Sequence, residues 1–249
     1  MIKFTKDQIF IVTGASSGIG ESTVILLNKL GATIVAIARN ESRLLAMRSK
    51  CAFPENVFIE IKDLADDIDG LPKYIRSFKE KYGRFSGMAY CAGVTGLRPE
   101  MSMTYKYAKG IFDINYFAPL MMTKGVADKR NNIGLGTSLV FISSIDAKLN
   151  DKGQSVYGGS KSALCASIKA ISREYSHNGV RMNCLLPSLI QTPMTANAMN
   201  DGYQTGVLSN YPFGFGEPVD IANMVAFLLS DMSKFISGQN YVVDSGGVL

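Results

Sequence analysis

The 249-residue sequence contains a single histidine, His177, and this shortage removes several classes of enzyme from consideration. With one histidine, and with four cysteines that show no metal-ligand spacing, we expect no metal site. Most Ser/His/Asp and Cys/His mechanisms are excluded unless His177 serves them, and no partner pattern surrounds it. His177 follows a helical pattern near its C-terminus, where a cation suits the helix dipole, so helix capping is the simpler interpretation.

Long apolar runs and runs of one charge are also missing. No stretch approaches about eighteen uninterrupted apolar residues, so we predict no transmembrane helix, and the early strand pattern leaves no room for a signal peptide. The net charge of +5 is spread along the chain, which argues against a nucleic-acid partner, although a basic cleft for an anionic cofactor would account for part of it. We expect free thiols in a reducing cytoplasm. The cysteines are Cys51, Cys91, Cys165 and Cys184.

What the chain does contain is a regular alternation of strand and helix patterns, typical of a parallel, doubly wound α/β sheet with helices on both faces. Hydrophobic residues make up 47% and charged residues 19%, a normal globular balance. We predict three layers, about seven strands and a single domain over residues 1–249. Strands are predicted at 8–13, 33–38, 56–62, 85–90, 140–142, 180–186 and 240–243, and helices at 71–82, 103–126, from 155 and from 218.

A glycine-rich loop joins the first strand pattern to the first helix pattern. Thr13 is followed by Gly14, Gly18 and Gly20, in the spacing Gly-x-x-x-Gly-x-Gly. Glycines allow a tight turn and a close backbone approach, and a helix N-terminus offers N–H groups and a positive dipole to a pyrophosphate. The loop therefore predicts a dinucleotide site.

The residues that come after the second and third strands bear on which dinucleotide binds. A carboxylate after the second strand would bind the ribose hydroxyls of NAD, whereas an arginine accommodates the 2′-phosphate of NADP. Here Ala38 is neutral and Arg39 comes next, so we favour NADP(H). The alternative is that Arg39 and Arg43 form a solvated face of the next helix. Asp63, after the third strand, could accept a hydrogen bond from the adenine amino group of the cofactor. The alternative is that Asp63 is an ordinary surface aspartate.

A serine, a tyrosine and a lysine form the pattern that indicates catalysis. Tyr157 and Lys161 lie four residues apart on a predicted helix, hence on one face, and Ser144 ends an apolar strand thirteen positions before Tyr157. An ammonium beside a phenol lowers the pKa of the phenol, which could then exchange a proton with a substrate oxygen. The alternative is a chance Tyr-x-x-x-Lys with a solvated lysine.

These features succeed one another along the chain: Thr13-Gly14-x-x-x-Gly18-x-Gly20, Ala92-Gly93, Asn115, Ser144 and Tyr157-x-x-x-Lys161. Together they resemble the short-chain dehydrogenase/reductase (SDR) family, of the classical type, over essentially the whole chain. The resemblance implies a Rossmann-type fold, an NAD(P)-dependent oxidoreductase acting on CH–OH groups, and a homotetramer or homodimer.

The resemblance also assigns roles to individual residues. Tyr157 is the general acid/base, Ser144 polarises the substrate oxygen, Lys161 lowers the tyrosine pKa and binds the nicotinamide ribose, and Asn115 holds a water in a proton relay. Thr192 matches a position that contacts the nicotinamide carboxamide. The residues expected to bind the cofactor are Gly14, Ser16, Ser17, Gly18, Ile19, Gly20, Arg39, Asp63, Leu64, Cys91, Ala92, Gly93, Tyr157, Lys161, Pro187, Ser188, Ile190 and Thr192.

The chain departs from the family pattern at several places. Cys91 stands for the usual Asn, which should weaken a hydrogen bond in the sheet, and Ser188 stands for the usual Gly after strand six. The arginine with which bacterial 3-oxoacyl-carrier-protein reductases dock their acidic carrier is Asn178 here, although Arg173 and Arg181 are near.

We therefore expect an NADP(H)-dependent reductase of a small or medium ketone, with residues 188–215 as a substrate lid or an oligomer contact. The first alternative is a 3-oxoacyl-carrier-protein reductase, whose substrate is linked as a thioester. An alternative of another class is a sensor that binds the dinucleotide without turnover.

Overall fold

The computed structural model of the chain describes residues 2–196 and 211–247. Within these residues seven parallel strands form one sheet in the order β3-β2-β1-β4-β5-β6-β7, which confirms the predicted doubly wound fold. The strands are β1 (Ile9–Thr13), β2 (Thr33–Ala38), β3 (Val57–Ile61), β4 (Gly87–Tyr90), β5 (Ser138–Ile142), β6 (Arg181–Pro187) and β7 (Asn240–Val243).

Helices connect the strands and cover both faces of the sheet. They are α1 (Gly18–Lys29), α2 (Glu41–Arg48), α3 (Leu71–Tyr82), α4 (Tyr105–Phe112), α5 (Ala118–Val126), α6 (Asp146–Leu149), α7 (Ser155–Tyr175) and α8 (Pro218–Leu229).

The helices on the two faces explain why the central strands are apolar without alternation. Successive side chains of a strand point to opposite faces, so Phe10 and Val12 of β1 join one core while Ile9 and Ile11 join the other. Every residue of β1, β2, β4, β5 and β6 is buried, whereas the edge strands β3 and β7 are partly exposed. The sheet thus holds its central strand ends in fixed positions, and the loops after them build the site.

The predicted helix over 103–126 is interrupted just before Pro119. Residues Asp113–Phe117 form a π-helical segment in which the Ala118 N–H bonds the Asp113 carbonyl. Proline has no N–H for the regular ladder, and a π-helical turn is one way to accommodate that loss. Within the segment the Ile114 carbonyl accepts a 2.7 Å hydrogen bond from the Tyr90 hydroxyl, which ties the helix to the sheet.

The predicted lid, residues 188–215, is described only at its two ends, because residues 197–210 lie outside the described residues. The ends approach one another: the hydroxyls of Ser188 and Tyr211 are hydrogen-bonded, and Gln191 N–H donates to the Gly216 carbonyl over 2.9 Å. In the described ranges, no helix is both long enough and apolar enough to cross a membrane.

Candidate active site

A cavity of about 580 Å³ opens where the strands end, around the point at which β1 lies between β2 and β4. In doubly wound sheets this switch point is the usual place for a ligand. Ser144 lines the cavity, as does every residue that the sequence analysis assigned to the cofactor. Asn115 does not, although its neighbour Ile114 does.

The glycine-rich loop has the close packing that a dinucleotide site requires. Gly14 has φ +64°, and a Cβ there would lie 2.9 Å from Ala92 Cα. A Cβ on Gly20 would lie 2.3 Å from the Gly14 carbonyl oxygen, so α1 can start directly against the loop only with glycine at this position. The loop thus presents bare backbone and a helix N-terminus to the cavity, a donor set that fits a pyrophosphate.

Thr13 holds the loop after β4 against the end of β1. Its Oγ1 accepts hydrogen bonds from the backbone N–H groups of Cys91, over 3.1 Å, and Ala92, over 3.0 Å. Burial raises the pKa of the Cys91 thiol to about 12. The Cys91–Gly93 loop is therefore fixed by a residue of the neighbouring strand, and its small side chains leave the cavity open.

Cations gather at the end of the cavity next to β2 and β3. Arg39, Arg43 and Lys62 all line it, and Arg39 Nη1 lies 3.5 Å from Asp63 Oδ2. Asp63 thus pairs with Arg39 here, while its Oδ1 accepts from Ala65 N–H. The sequence analysis missed Lys62. Its position directly after β3 could have indicated its place in the site. Because β3 pairs with β2 in the sheet, Lys62 lies beside Arg39, which follows β2.

Ser144, Tyr157 and Lys161 meet at the other end of the cavity. Ser144 follows β5, and the tyrosine and lysine lie one turn apart on α7, all three largely buried. The Lys161 ammonium lies 5.9 Å from the centre of the Tyr157 ring and donates a 2.8 Å hydrogen bond to the Ile142 carbonyl at the end of β5. The predicted juxtaposition of the three side chains in one cavity is present in the structure.

The expected pKa of the phenol is wrong in direction for this state of the protein. Burial raises the pKa of Tyr157 to about 12, the hydrogen bond with Ser144 lowers it, and the charge of Asp146 raises it further. Lys161 is itself desolvated, and burial lowers its pKa to about 8. Desolvation is therefore the main cause of the raised pKa of Tyr157, and the phenol is protonated at neutral pH, which makes it a proton donor.

Asn115 has a structural task that its sequence position did not reveal. Its Nδ2 donates to the Val94 carbonyl over 2.9 Å and to Ser160 Oγ over 3.1 Å, and its Oδ1 accepts from Val94 N–H over 3.0 Å. The side chain is fully buried and clamps the loop after β4 to α7. All these bonds of the side chain are made within the protein, and the predicted part of Asn115 in a proton relay stays a prediction.

The loop after β6 covers the glycine-rich loop. Ser188 N–H donates to the Val243 carbonyl over 3.1 Å, which fixes the start of this loop to β7. The Thr192 side chain packs beside Gly18, where an added Cβ would lie 3.1 Å from Thr192 Cγ2. Thr192 therefore lines the cavity next to the glycine-rich loop, and its predicted contact with the nicotinamide carboxamide stays a prediction.

The arginines considered for carrier docking differ sharply in the structure. Arg181 is 9% exposed, and its guanidinium donates to Ser233 Oγ and to the carbonyls of Leu228, Ser230 and Ile236. It is therefore unavailable for a carrier, and the suggestion that it could replace the missing docking arginine is wrong. Arg173 is exposed on α7.

The described ranges contain no group of three or more His, Cys, Asp or Glu side chains that could hold a metal ion. His177 is exposed in the turn Ser176–Asn178, directly after α7, where the sequence analysis placed it.

Comparison with known proteins identifies the family. A family model described as enoyl-(acyl-carrier-protein) reductase matches residues 14–247. The 3-oxoacyl-[acyl-carrier-protein] reductases FabG of Rickettsia conorii and Thermotoga maritima are 30% and 28% identical, over 95% and 97% of this chain and 95% and 98% of theirs. The structure of a short-chain type dehydrogenase/reductase from Mycobacterium ulcerans is 28% identical, with a TM-score of 0.90 over 99% of this chain and 91% of that one.

The motifs, the sheet order and these comparisons agree with one another. The chain belongs to the short-chain dehydrogenase/reductase family, and it is an oxidoreductase that acts on CH–OH or carbonyl groups.

Proposed function

We propose that the protein uses NADP(H) to reduce a carbonyl group to a secondary alcohol. One observation carries this proposal: a single cavity joins a cationic end, at Arg39, Arg43 and Lys62, to an end that holds a protonated phenol, at Tyr157. The cationic end suits the 2′-phosphate of NADP, and the phenol end suits proton donation to a carbonyl oxygen.

The residues of the cavity fit a dinucleotide along its whole length. The loop from Gly14 to Gly20 would hold the pyrophosphate, Arg39 and its neighbours the 2′-phosphate, and Lys161 the nicotinamide ribose. When bound, the reduced cofactor supplies a hydride.

Three side chains would handle the substrate oxygen. Tyr157 donates its phenolic proton to that oxygen, and Ser144 positions the oxygen by hydrogen bonding. Lys161 lies one turn from Tyr157 and contributes positive charge that stabilises the phenolate left after proton transfer. A buried site raises the phenol pKa, so before the reaction the proton is in place for reduction.

Two substrate classes fit this chemistry. The first class is a small or medium ketone, and the second is a 3-oxoacyl thioester. The second class is favoured by the FabG relatives, which are named 3-oxoacyl-[acyl-carrier-protein] reductases and are up to about 30% identical to this chain. The place of the docking arginine is occupied by Asn178, and Arg181 is buried, which speaks against carrier docking in the manner of those relatives. We retain both classes, and the assay separates them.

The assay follows the oxidation of NADPH and of NADH with a panel of ketones and with acetoacetyl thioesters of coenzyme A and of an acyl carrier. Tyr157→Phe removes the proton donor, and we expect it to lower kcat by about 100-fold to 10,000-fold. A wild-type protein that binds the cofactor tightly but turns over no substrate would instead be a sensor. By resemblance we also propose that the protein lies in the cytoplasm and forms a homotetramer or homodimer. Sedimentation of the purified protein tests the oligomeric state.

A further inference from the structure

The residue directly before Ser144 is a second buried serine, Ser143, to which the sequence analysis gave no role. Ser143 lines the cavity and is 4% exposed. Its Oγ donates a hydrogen bond of 3.1 Å to the main-chain carbonyl of Lys161 and accepts one of 3.2 Å from the Cys165 thiol. The Ser143 hydroxyl therefore links the end of β5 to α7 at the lysine itself.

Lys161 is thereby attached at both ends of its side chain. Its main-chain carbonyl is bound by Ser143, and its ammonium donates over 2.8 Å to the carbonyl of the preceding residue, Ile142. The loop after β4 also lies close to the ammonium, because a Cβ on Gly93 would lie 3.5 Å from its nitrogen. A lysine side chain has many rotamers, and fixing both of its ends leaves few of them. The place of the ammonium in the cavity thus depends on these two attachments.

The strand end that provides both attachments is itself fixed in the sheet. The Ser143 N–H donates to the Leu185 carbonyl over 2.7 Å, and the Ile145 N–H donates to the Pro187 carbonyl over 2.9 Å. Both acceptors belong to β6, so Ser144 is held between two hydrogen bonds to the neighbouring strand. The side chain of Ser143 joins this fixed segment to α7.

We propose that Ser143 is a positioning residue for the reduction: its bond to the Lys161 carbonyl sets where the lysine stands relative to Ser144. Tyr157, one turn earlier on α7, is held by the same attachment. This inference rests on the proposed function, and it matters there because a small displacement of a reacting group slows a reaction strongly. The alternative is that the Ser143 hydroxyl only packs α7 against the sheet.

The test compares Ser143→Ala with Ser162→Ala. Ser162 follows Lys161 on α7 and donates over 2.7 Å to the Ala147 carbonyl, which ties α7 to α6. The two variants lose the same kind of bond from the same segment, one at the lysine and the other away from it. We expect Ser143→Ala to lower kcat by about threefold to tenfold, as for the loss of one hydrogen bond, and Ser162→Ala to lower it by less than about twofold.

The dependence of kcat on pH is a readout that a packing role would not move. Burial lowers the pKa of Lys161 to about 8, so kcat should fall as the ammonium loses its proton above that pH. In Ser143→Ala the ammonium is free to move toward water, which raises its pKa. The alkaline limb of the profile should therefore move up by at least about half a pH unit, and in Ser162→Ala it should stay at the wild-type position.

Acetylation of Lys161 by acetic anhydride at several pH values, read by mass spectrometry of its peptide, measures the same pKa without turnover. Urea unfolding first establishes that each variant is folded, because an unfolded chain would expose the lysine. If Ser143→Ala does not fold, Ser143→Cys takes its place, since a thiol fills nearly the same space and is only a weak donor.

A Lys161 pKa that is the same in the Ser143 variant and in the wild type overturns the inference, and so does an equal rise in Ser162→Ala. A rise in the Ser143 variant alone supports it. If the wild type reduces no carbonyl compound, the proposed function is overturned, and the acetylation measurement alone decides whether Ser143 positions the lysine.

Discussion

Lys161 directs its ammonium at the carbonyl oxygen of Ile142, 2.8 Å away at the end of β5, and its nitrogen lies 5.9 Å from the centre of the Tyr157 ring. This placement has an energetic consequence. Burial lowers the Lys161 pKa to about 8 from the ordinary 10.5, so folding works against the charge that the chemistry needs.

The first prediction concerns stability against pH. Between about pH 8 and 10.5 the unfolded chain binds more protons at Lys161 than the folded chain, so this group makes the free energy of unfolding rise with pH over that window. Lys161→Met removes the rise and stabilises the protein at pH 7 by up to about 3 kcal/mol. Urea unfolding at several pH values measures both effects.

Lys169→Met is the control for that variant, because Lys169 is exposed two turns further along α7. Lys161→Met should also lose reductase activity while gaining stability. A variant less stable than the wild type at pH 7, with the same dependence on pH, would show that Lys161 is not strained by burial.

The second prediction concerns cofactor choice. Arg39→Asp removes one cation from the group that lines the cavity with Arg43 and Lys62, and places an anion there. Because a hydrogen bond to a charged group is worth about 1.5–3 kcal/mol, kcat/KM for NADPH should fall by about tenfold to 100-fold. NADH, which has no 2′-phosphate, should lose far less. Steady-state kinetics with both cofactors measures the ratio.

Lys50→Asp makes the same change of charge outside the cavity, where Lys50 pairs with Glu21 over 2.7 Å. It should leave the cofactor ratio unchanged. If Arg39→Asp retains the preference for NADPH over NADH, then Arg39 does not bind the 2′-phosphate.

Local patterns in the sequence were enough to predict the main elements of the fold and most of the residues that line the cavity. The strand over 33–38 and the helices over 71–82 and from 218 lie where predicted, and the cofactor residues share a cavity because they lie in the loops after the strands. The direction of the Lys161 ammonium, the pairing of Ser144 with Asp146 and the burial of Arg181 depend on how side chains pack in three dimensions. Spacing along the chain carries no information about desolvation. For that reason the sequence predicted a lowered pKa for Tyr157, whereas burial raises it.

The third prediction tests the bridge between β1 and the loop after β4. Thr13→Val keeps the shape of the side chain but removes the acceptor of the Cys91 and Ala92 N–H groups. The two N–H groups are part-buried, and each one left without a partner costs up to about 1–3 kcal/mol, so the free energy of unfolding should fall by at most about 2–6 kcal/mol. Thr13→Ser retains the hydroxyl and should lose less than half as much. Equal losses in the two variants would mean that the methyl group, not the hydroxyl, holds the loop.

The last prediction concerns Arg181, whose guanidinium joins the start of β6 to the segment after α8. Four acceptors converge on it: Ser233 Oγ and the carbonyls of Leu228, Ser230 and Ile236. Arg181→Met fills the space and removes the charged donor, but the three carbonyls keep hydrogen bonds from Ser138, Ser233 and Asn183. Because a hydrogen bond from a charged group contributes about 1.5–3 kcal/mol, we expect a loss of about 1.5–3 kcal/mol in urea unfolding. Arg173→Met removes an exposed arginine of the same charge and should cost little stability.

The same two variants also separate stability from carrier binding. If the substrate is carrier-linked, Arg173→Met should raise the KM for the carrier-linked substrate and leave the KM for the coenzyme A thioester unchanged. Were Arg181→Met as stable as the wild type, the four bonds would be no better than those the guanidinium makes with water.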